Sequence, residues 1–272
     1  MTAGEPLTLP LSGATRLFVI VGDPIAQVKS PGGITRGFVR RGVDAVVVPV
    51  QVAPSDVGAL FQALDTVKNL DGILATVPHK FAAFSHCAST TPRAAVLETC
   101  NIMRRRSDGA WHGDMGDGAG FLAALVRKGG RPAGARTLLV GAGGAGRAIG
   151  LAFLDAGVSD LAIHDADARR RDDLVALLSG VAPGRVRVGS DDPAGFDIVA
   201  NASPAGMKPG DPLPVRIERL APSMTVGCVV TEPAETPLVA AARRLGCTVS
   251  TGVDMFEASQ EAIVDFLLHR DG

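Results

Sequence analysis

The sequence predicts an α/β chain of two domains, and three observations carry that prediction. Short β-branched runs alternate with longer stretches of helical periodicity, the pattern of a parallel sheet covered by helices. The pattern restarts near Asp117, where a helix, a Gly/Pro-rich break at 129–134 and a new apolar strand follow one another. The length of 272 residues accommodates two ordinary domains.

In the first half, residues 17–21 read as a strand that Gly22, Asp23 and Pro24 terminate. Ser30 reads as an N-cap with Pro31 at the first helical position, and residues 45–50 form a second strand. Ser55 caps a helix in which Val57, Leu60, Phe61, Leu64 and Val67 recur with helical spacing and bury one face. Residues 72–77 form the next strand, 92–98 a helix, and the two short runs around Ser107-Asp108-Gly109 a hairpin. From Asp117 a helix runs through Phe121, Leu122, Leu125 and Val126. Strands follow at 137–140, 161–164, 186–188, 198–200, 226–230 and 248–250, and a last helix spans 256–269. No repeat of fixed period occurs.

Composition narrows the partners. A formal charge of −1 gives no electrostatic footprint for nucleic acid or an anionic membrane surface. No segment reaches the ~20 apolar residues of a membrane helix, and the N-terminal apolar run is too short for a signal peptide. The four cysteines, Cys87, Cys100, Cys228 and Cys247, form no C-x-x-C pair and are read as reduced, in a cytoplasmic protein. The five histidines show no metal-ligand spacing, so no metal site is implied.

The motif with the clearest mechanism is Gly141-Ala142-Gly143-Gly144-Ala145-Gly146, a G-x-G-x-x-G string between an apolar strand and a helix. Gly141 permits the tight turn, Gly143 lets backbone approach a pyrophosphate, and Gly146 lets helix pack on strand. The helix N-terminus then offers free N–H groups to the phosphates. This is the fingerprint of a Rossmann-type, doubly wound dinucleotide-binding domain. Asp165, 24 positions after Gly141 at the end of the next strand, suits the adenosine ribose hydroxyls and repels a 2′-phosphate, which favours NAD over NADP. Arg169, Arg170 and Arg171 just beyond could clasp a 2′-phosphate, although arginines on an exposed helix are more often solvated.

Three strings in the first half carry further chemistry. They are Gly22-Asp23-Pro24-Ile25 leading to Lys29-Ser30-Pro31, then Thr76-Val77-Pro78-His79-Lys80, then Gly113-Asp114-Met115-Gly116-Asp117-Gly118. With Asn101, the glycine string, Asn201-Ala202-Ser203-Pro204-Ala205-Gly206-Met207, Thr236-Pro237-Leu238, Gly252 and Met255, they form an ordered set over nearly the whole chain. That set resembles the shikimate dehydrogenase family. The resemblance implies an N-terminal α/β substrate domain, residues 1–116, completed by the C-terminal helix at 252–272. It implies an NAD(P)-binding Rossmann domain at 117–251 and an active site in the cleft.

It also implies reversible hydride transfer between NAD(P) and a secondary alcohol of a shikimate- or quinate-like cyclic hydroxy acid. Lys80 and Asp117 would be its catalytic pair, Ser30, Thr76 and Asn101 its substrate contacts, and Asn201, Gly252 and Met255 cofactor contacts. Elementary chemistry agrees, because oxidising an alcohol needs a group that takes the hydroxyl proton while hydride leaves. A lysine amine serves when burial lowers its pKa, and a nearby carboxylate orients it. A homodimer is the oligomeric expectation.

Departures from the family pattern cluster on the substrate side. The family's S-x-S is Val28-Lys29-Ser30 here, so one carboxylate donor is missing. Leu74 stands where the family has Asn, Thr231 where it has Tyr, and Ser259 at the position of a glutamine, with Gln260 one residue later. Losing a hydrogen bond to a charged group costs about 1.5–3 kcal/mol, one to two decades of affinity. A ligand with fewer hydroxyls or a bulkier apolar part is therefore expected. The alternatives are an ordinary shikimate 5-dehydrogenase of aromatic amino acid biosynthesis and a catalytically silent ligand-binding homologue.

Overall fold

The computed structural model describes residues 8–269. The chain divides into two compact units. One takes the described residues up to Met115 together with those from Gln260 onward, and the other runs Gly116–Ser259.

The first unit is built on β1 (Arg16–Gly22), α1 (Ser30–Arg40), β2 (Ala45–Gln51), α2 (Val57–Asp65) and β3 (Leu70–Ala75). There follow α3 (Lys80–His86), β4 (Ser89–Thr90), α4 (Pro92–Leu97), β5 (Ile102–Arg105) and β6 (Trp111–Asp114). The sheet order is β2-β1-β3-β5-β6-β4. Two β-α-β crossovers make β2, β1 and β3 parallel, whereas β5 runs antiparallel to β3 and to its hairpin partner β6. The hairpin turn is closed by Arg106 N–H on the Ala110 carbonyl at 2.8 Å, with Gly109 in the left-handed region at φ 87°.

Several local expectations are corrected here. Ser30 is the first helical residue of α1, and the N-cap is Lys29 without a side-chain cap. Asp56, not Ser55, precedes α2, again without a side-chain cap. The strand β3 stops at Ala75, because Thr76 turns back to receive His79 N–H on its carbonyl at 2.8 Å. Neither α3 nor β4 was anticipated from the sequence. The helix α3 is seven residues long with no side-chain cap, and β4 is a two-residue strand, so neither carries a periodic signal.

The second unit begins with α5 (Asp117–Arg127), β7 (Arg136–Val140), α6 (Gly144–Asp155), β8 (Asp160–His164), α7 (Ala168–Val181) and β9 (Val186–Val188). It continues with β10 (Ile198–Asn201), β11 (Thr225–Cys228), α8 (Pro237–Leu245), β12 (Thr248–Ser250) and the first half of α9 (Gly252–Leu268). All six strands are parallel, in the order β12-β11-β10-β7-β8-β9. Parallel strands covered on both faces need apolar residues at successive positions, and β7 supplies them. Leu139 faces a core with Phe121, Ile149, Phe153, Leu174 and Leu178, while Leu138 and Val140 face another with Val199, Val226, Leu238 and Ala242. The strand order reverses between β7 and β10, the switch point at which such sheets bind ligands.

The helix α9 starts at Gly252, four residues before the sequence suggests, and it belongs to both units. Asp254 pairs with Lys128 at 2.9 Å and Met255 packs on the α5–α6 core, so residues up to Ser259 are part of the second unit. Beyond that, Val264 fills the space over Gly37, Leu267 that over Gly72, and Phe266 stacks on His112 at 5.9 Å. Glu261 and Asp265 meet Arg40 and Arg41 at the end of α1. The expectation that the whole helix joins the first unit is thus corrected for its first two turns.

Candidate functional site

In the first unit the sequence strings converge at the ends of β1 and β3. Asp23 N–H donates to the Val77 carbonyl at 2.9 Å, and Thr76 N–H to the Val21 carbonyl at 2.9 Å. Gly22 has no room for a side chain, since a Cβ there would lie 2.4 Å from Thr76 Cγ2. The turn is fastened on its other side by the buried His79, whose Nε2 meets the Val52 carbonyl at 2.9 Å. His79 thus anchors the turn that leads into Lys80.

Lys80 is the first residue of α3 and is half-buried. Its carbonyl accepts Cys100 N–H at 3.0 Å, and the next residue, Asn101, accepts Ala75 N–H at 2.8 Å. Thr76, Lys80 and Asn101 therefore lie together at one end of the inner strands β3 and β5. Val28 and Ser30 lie half-buried in the turn leading into α1 and at its start. Leu74 is only 3% exposed, paired in β3 between Ile20 and Ile102, and presents an apolar strand position next to Asn101.

Two thiols lie beside this end of the strands. A Cβ on Gly113 would come within 2.5 Å of both the Cys87 and the Cys100 sulfur. The hydrogen bond to Cys87 and burial push the Cys100 thiol well above the ordinary range.

In the second unit the glycine string has the form expected of a phosphate cradle. Gly141 adopts φ 103°, and a Cβ there would meet Ser203 N at 2.7 Å. A Cβ on Gly146 would lie 1.9 Å from the Gly141 carbonyl oxygen. By contrast, a Cβ on Gly143 meets nothing within 4 Å, and Gly143 caps α6 without a side-chain hydrogen bond. The helix N-terminus thus faces open space with its first N–H groups available, so these residues fit a dinucleotide.

Asp165 follows β8, and its carboxylate accepts Ala142 N–H at 2.7 Å and Asp167 N–H at 2.8 Å. It therefore shapes the glycine loop as well as standing beside it. Arg170, one of the three arginines considered for a 2′-phosphate, lies 3.5 Å from Asp165 and 3.3 Å from Asp167, while Arg171 pairs with Asp172. Across the switch point, the buried Asn201 accepts Ser203 N–H at 3.1 Å and Ser203 Oγ at 2.6 Å on Oδ1. Its Nδ2 donates to the Ala205 carbonyl at 3.4 Å, so the side chain holds the loop that follows β10.

Gly252 opens α9 where a Cβ would collide with the Val230 carbonyl at 2.4 Å. Asp117 is the first residue of α5, half-buried. The Ser259 hydroxyl is shared between the Met255 and Phe256 carbonyls of its own helix, 3.0 Å each, and its Cβ packs over Gly120. Among the described residues no group of three or more His, Cys, Asp or Glu could hold a metal ion, and no helix is long and apolar enough to cross a membrane.

A family model for the shikimate dehydrogenase substrate binding domain matches residues 20–103. The chain is 36% identical to the shikimate dehydrogenase (NADP(+)) of Acidiphilium cryptum, over 90% of this chain and 87% of that protein. It belongs to the shikimate dehydrogenase family. Among solved structures, the 5-ketofructose reductase of a Gluconobacter species is 26% identical with a TM-score of 0.78, covering 93% of each chain. The shikimate 5-dehydrogenase of Listeria monocytogenes, solved with shikimate and NAD, is 24% identical with a TM-score of 0.83, over 97% of this chain and 96% of that one. This likeness confirms the expected fold, a substrate domain of α/β type with a Rossmann-type partner.

Proposed function

We propose that the protein is an NAD-preferring dehydrogenase of the shikimate dehydrogenase family, acting on a secondary alcohol of a cyclic hydroxy acid. That it is an NAD(P)-dependent oxidoreductase acting on CH–OH follows from its family. The observation that carries the reading further is the convergence of Thr76, Lys80 and Asn101 at one end of the inner strands β3 and β5, in a chain with an open glycine cradle.

With the pyrophosphate of the dinucleotide at that cradle, its nicotinamide would accept or return hydride. Lys80 takes the proton of the substrate hydroxyl in oxidation and returns it in reduction, and Asp117 orients the amine. Asn101 and Thr76 hold substrate hydroxyls, and Ser30 one carboxylate oxygen. Gly141, Gly143, Gly144, Ala145 and Gly146 hold the pyrophosphate, and Asp165 the adenosine ribose. Asn201, Gly252 and Met255 bound the rest of the cofactor site.

The NAD preference is proposed against the NADP(+) in the relatives' names. Its support is that Asp165 is fixed by two backbone N–H groups and that Arg170 is already paired with acids. A second reading has its own observation. Val28 removes a carboxylate donor, and 5-ketofructose, the substrate named for a structural relative, is a neutral polyhydroxy ketone without a carboxylate.

Steady-state kinetics with NAD and NADP on shikimate and quinate, and with NADH and NADPH on 5-ketofructose, test both readings. Highest kcat/KM on a cyclic hydroxy acid with NAD is the expected result. Preference for 5-ketofructose would replace the first reading by the second, and absence of turnover with all three would remove both.

A further inference from the structure

Asp114 takes no part in the chemistry above, yet it is among the most tightly bound carboxylates of the first unit. Its side chain, 4% exposed, accepts Thr91 Oγ1 at 2.5 Å, Arg93 Nε at 2.7 Å and Met115 N–H at 2.7 Å, and Arg93 Nη2 as well. Charge-assisted bonds of this kind are about twice as strong as neutral ones.

The partners have an order along the chain. Thr91 caps α4, accepting Ala94 N–H on Oγ1, and donates its own N–H to the Gly113 carbonyl at 2.9 Å. Arg93 lies in the first turn of the same helix. The Asp114 side chain thus pins the start of residues 91–101. At the other end of that segment, Asn101 N–H donates to the Asp114 carbonyl at 3.0 Å. One residue holds both ends of the excursion that delivers Asn101.

The residues just before Asn101 have no element of their own to hold them. The helix α4 ends at Leu97, Glu98 turns the chain at φ 53°, and β5 begins only at Ile102. The position of the Asn101 backbone is therefore set by its anchors, which are Ala75, Asp114 and, through Cys100, Lys80.

We infer that Asp114 is a positioning residue for substrate binding: it fixes the backbone that presents Asn101 and acts on substrate affinity, not on proton transfer. This rests on Asn101 being a substrate contact. Asp114→Asn, Asn101→Ala and the double variant are compared by steady-state kinetics with NAD, using shikimate and quinate as probes, together with NAD titration.

Asp114→Asn is expected to raise KM about tenfold, roughly the loss of the Asn101 hydrogen bond to a substrate hydroxyl, while kcat and the NAD dissociation constant stay within about twofold. In the Asn101→Ala background the same change should raise KM by less than about twofold, since both act through one contact. An equal factor in both backgrounds, or a fall in kcat at unchanged KM, overturns the inference. An unchanged KM in Asn101→Ala alone, or no turnover of either probe by the wild type, instead overturns the reading of the site on which it rests. If Asp114→Asn does not fold, Arg93→Gln, which leaves Thr91 and Met115 on the carboxylate, should show the same split at about threefold. An unchanged KM there overturns it.

Discussion

Lys80 stands at the head of a short helix whose entry turn is fastened by His79 to Val52 and whose carbonyl is tied to Cys100. If its amine exchanges the substrate proton, Lys80→Ala should lower kcat by about 10²–10⁴-fold and leave NAD affinity unchanged, as single-turnover kinetics and NAD titration would show. Asp117→Asn should lower kcat too, and the double variant should be little worse than the worse single one, because the two act as a unit. Near-normal turnover in Lys80→Ala would refute this role. Asp165 gives a second test. Replacing it by Asn keeps an acceptor for the Ala142 N–H and removes the charge, so NADP should gain at least about tenfold on NAD in relative affinity, roughly one charged interaction. An unchanged ratio would place cofactor choice elsewhere. Most of these residues were legible in the sequence because each sits in a string with its own composition. The parts played by His79 and Asp114 were not, since they lie in bonds to residues far along the chain or to backbone.

Among the elements, the glycine loop and α6 make the sharpest contrast. Gly146→Ala puts a methyl group 1.9 Å from the Gly141 carbonyl, a backbone atom that cannot rotate away, so both the thermal midpoint and NAD affinity should fall. Gly143→Ala meets no protein atom, so the thermal midpoint should stay within a few degrees while NAD affinity drops. Calorimetry with NAD titration separates the two, and unchanged NAD affinity in Gly143→Ala would show that the cradle is not the pyrophosphate site. Elements with a long periodic pattern, such as α5 and the strands of the second sheet, were readable in advance. The short α3 and β4 were not, because their residues are held by the turn at Thr76 and by pairing with β6. The bonds of Ser259 were not readable for a related reason: a hydroxyl inside a helix readily bonds its own preceding carbonyls.

For the molecule as a whole, acid is the expected weakness. Burial favours the neutral carboxyl at Asp65, Asp114 and Asp254, yet donors outweigh it and hold all three below the usual range: Trp111 and His86, Arg93 and Thr91, and Lys128 and Thr251 respectively. A depressed carboxylate stabilises the fold fully above its unfolded pKa and loses that contribution as pH falls through the folded value. The thermal midpoint should therefore be flat from about pH 7 to 5 and fall below about pH 4. Asp114→Asn should make the acid limb shallower, and an identical limb would exclude Asp114 from it. The two-unit plan was legible from the restart of the pattern at Asp117. The sharing of α9 was not, because its two halves differ in their neighbours and not in their periodicity. That sharing has a consequence for how the protein is made. Gly37, Gly72 and His112 of the first unit wait for Val264, Leu267 and Phe266, which leave the ribosome about 150 residues after β6, on the order of ten seconds later at ordinary rates of synthesis. The domain translated first is therefore completed last, and nascent chains halted after Ser259 should show protease-resistant glycine-loop sheet beside a cleavable N-terminal half.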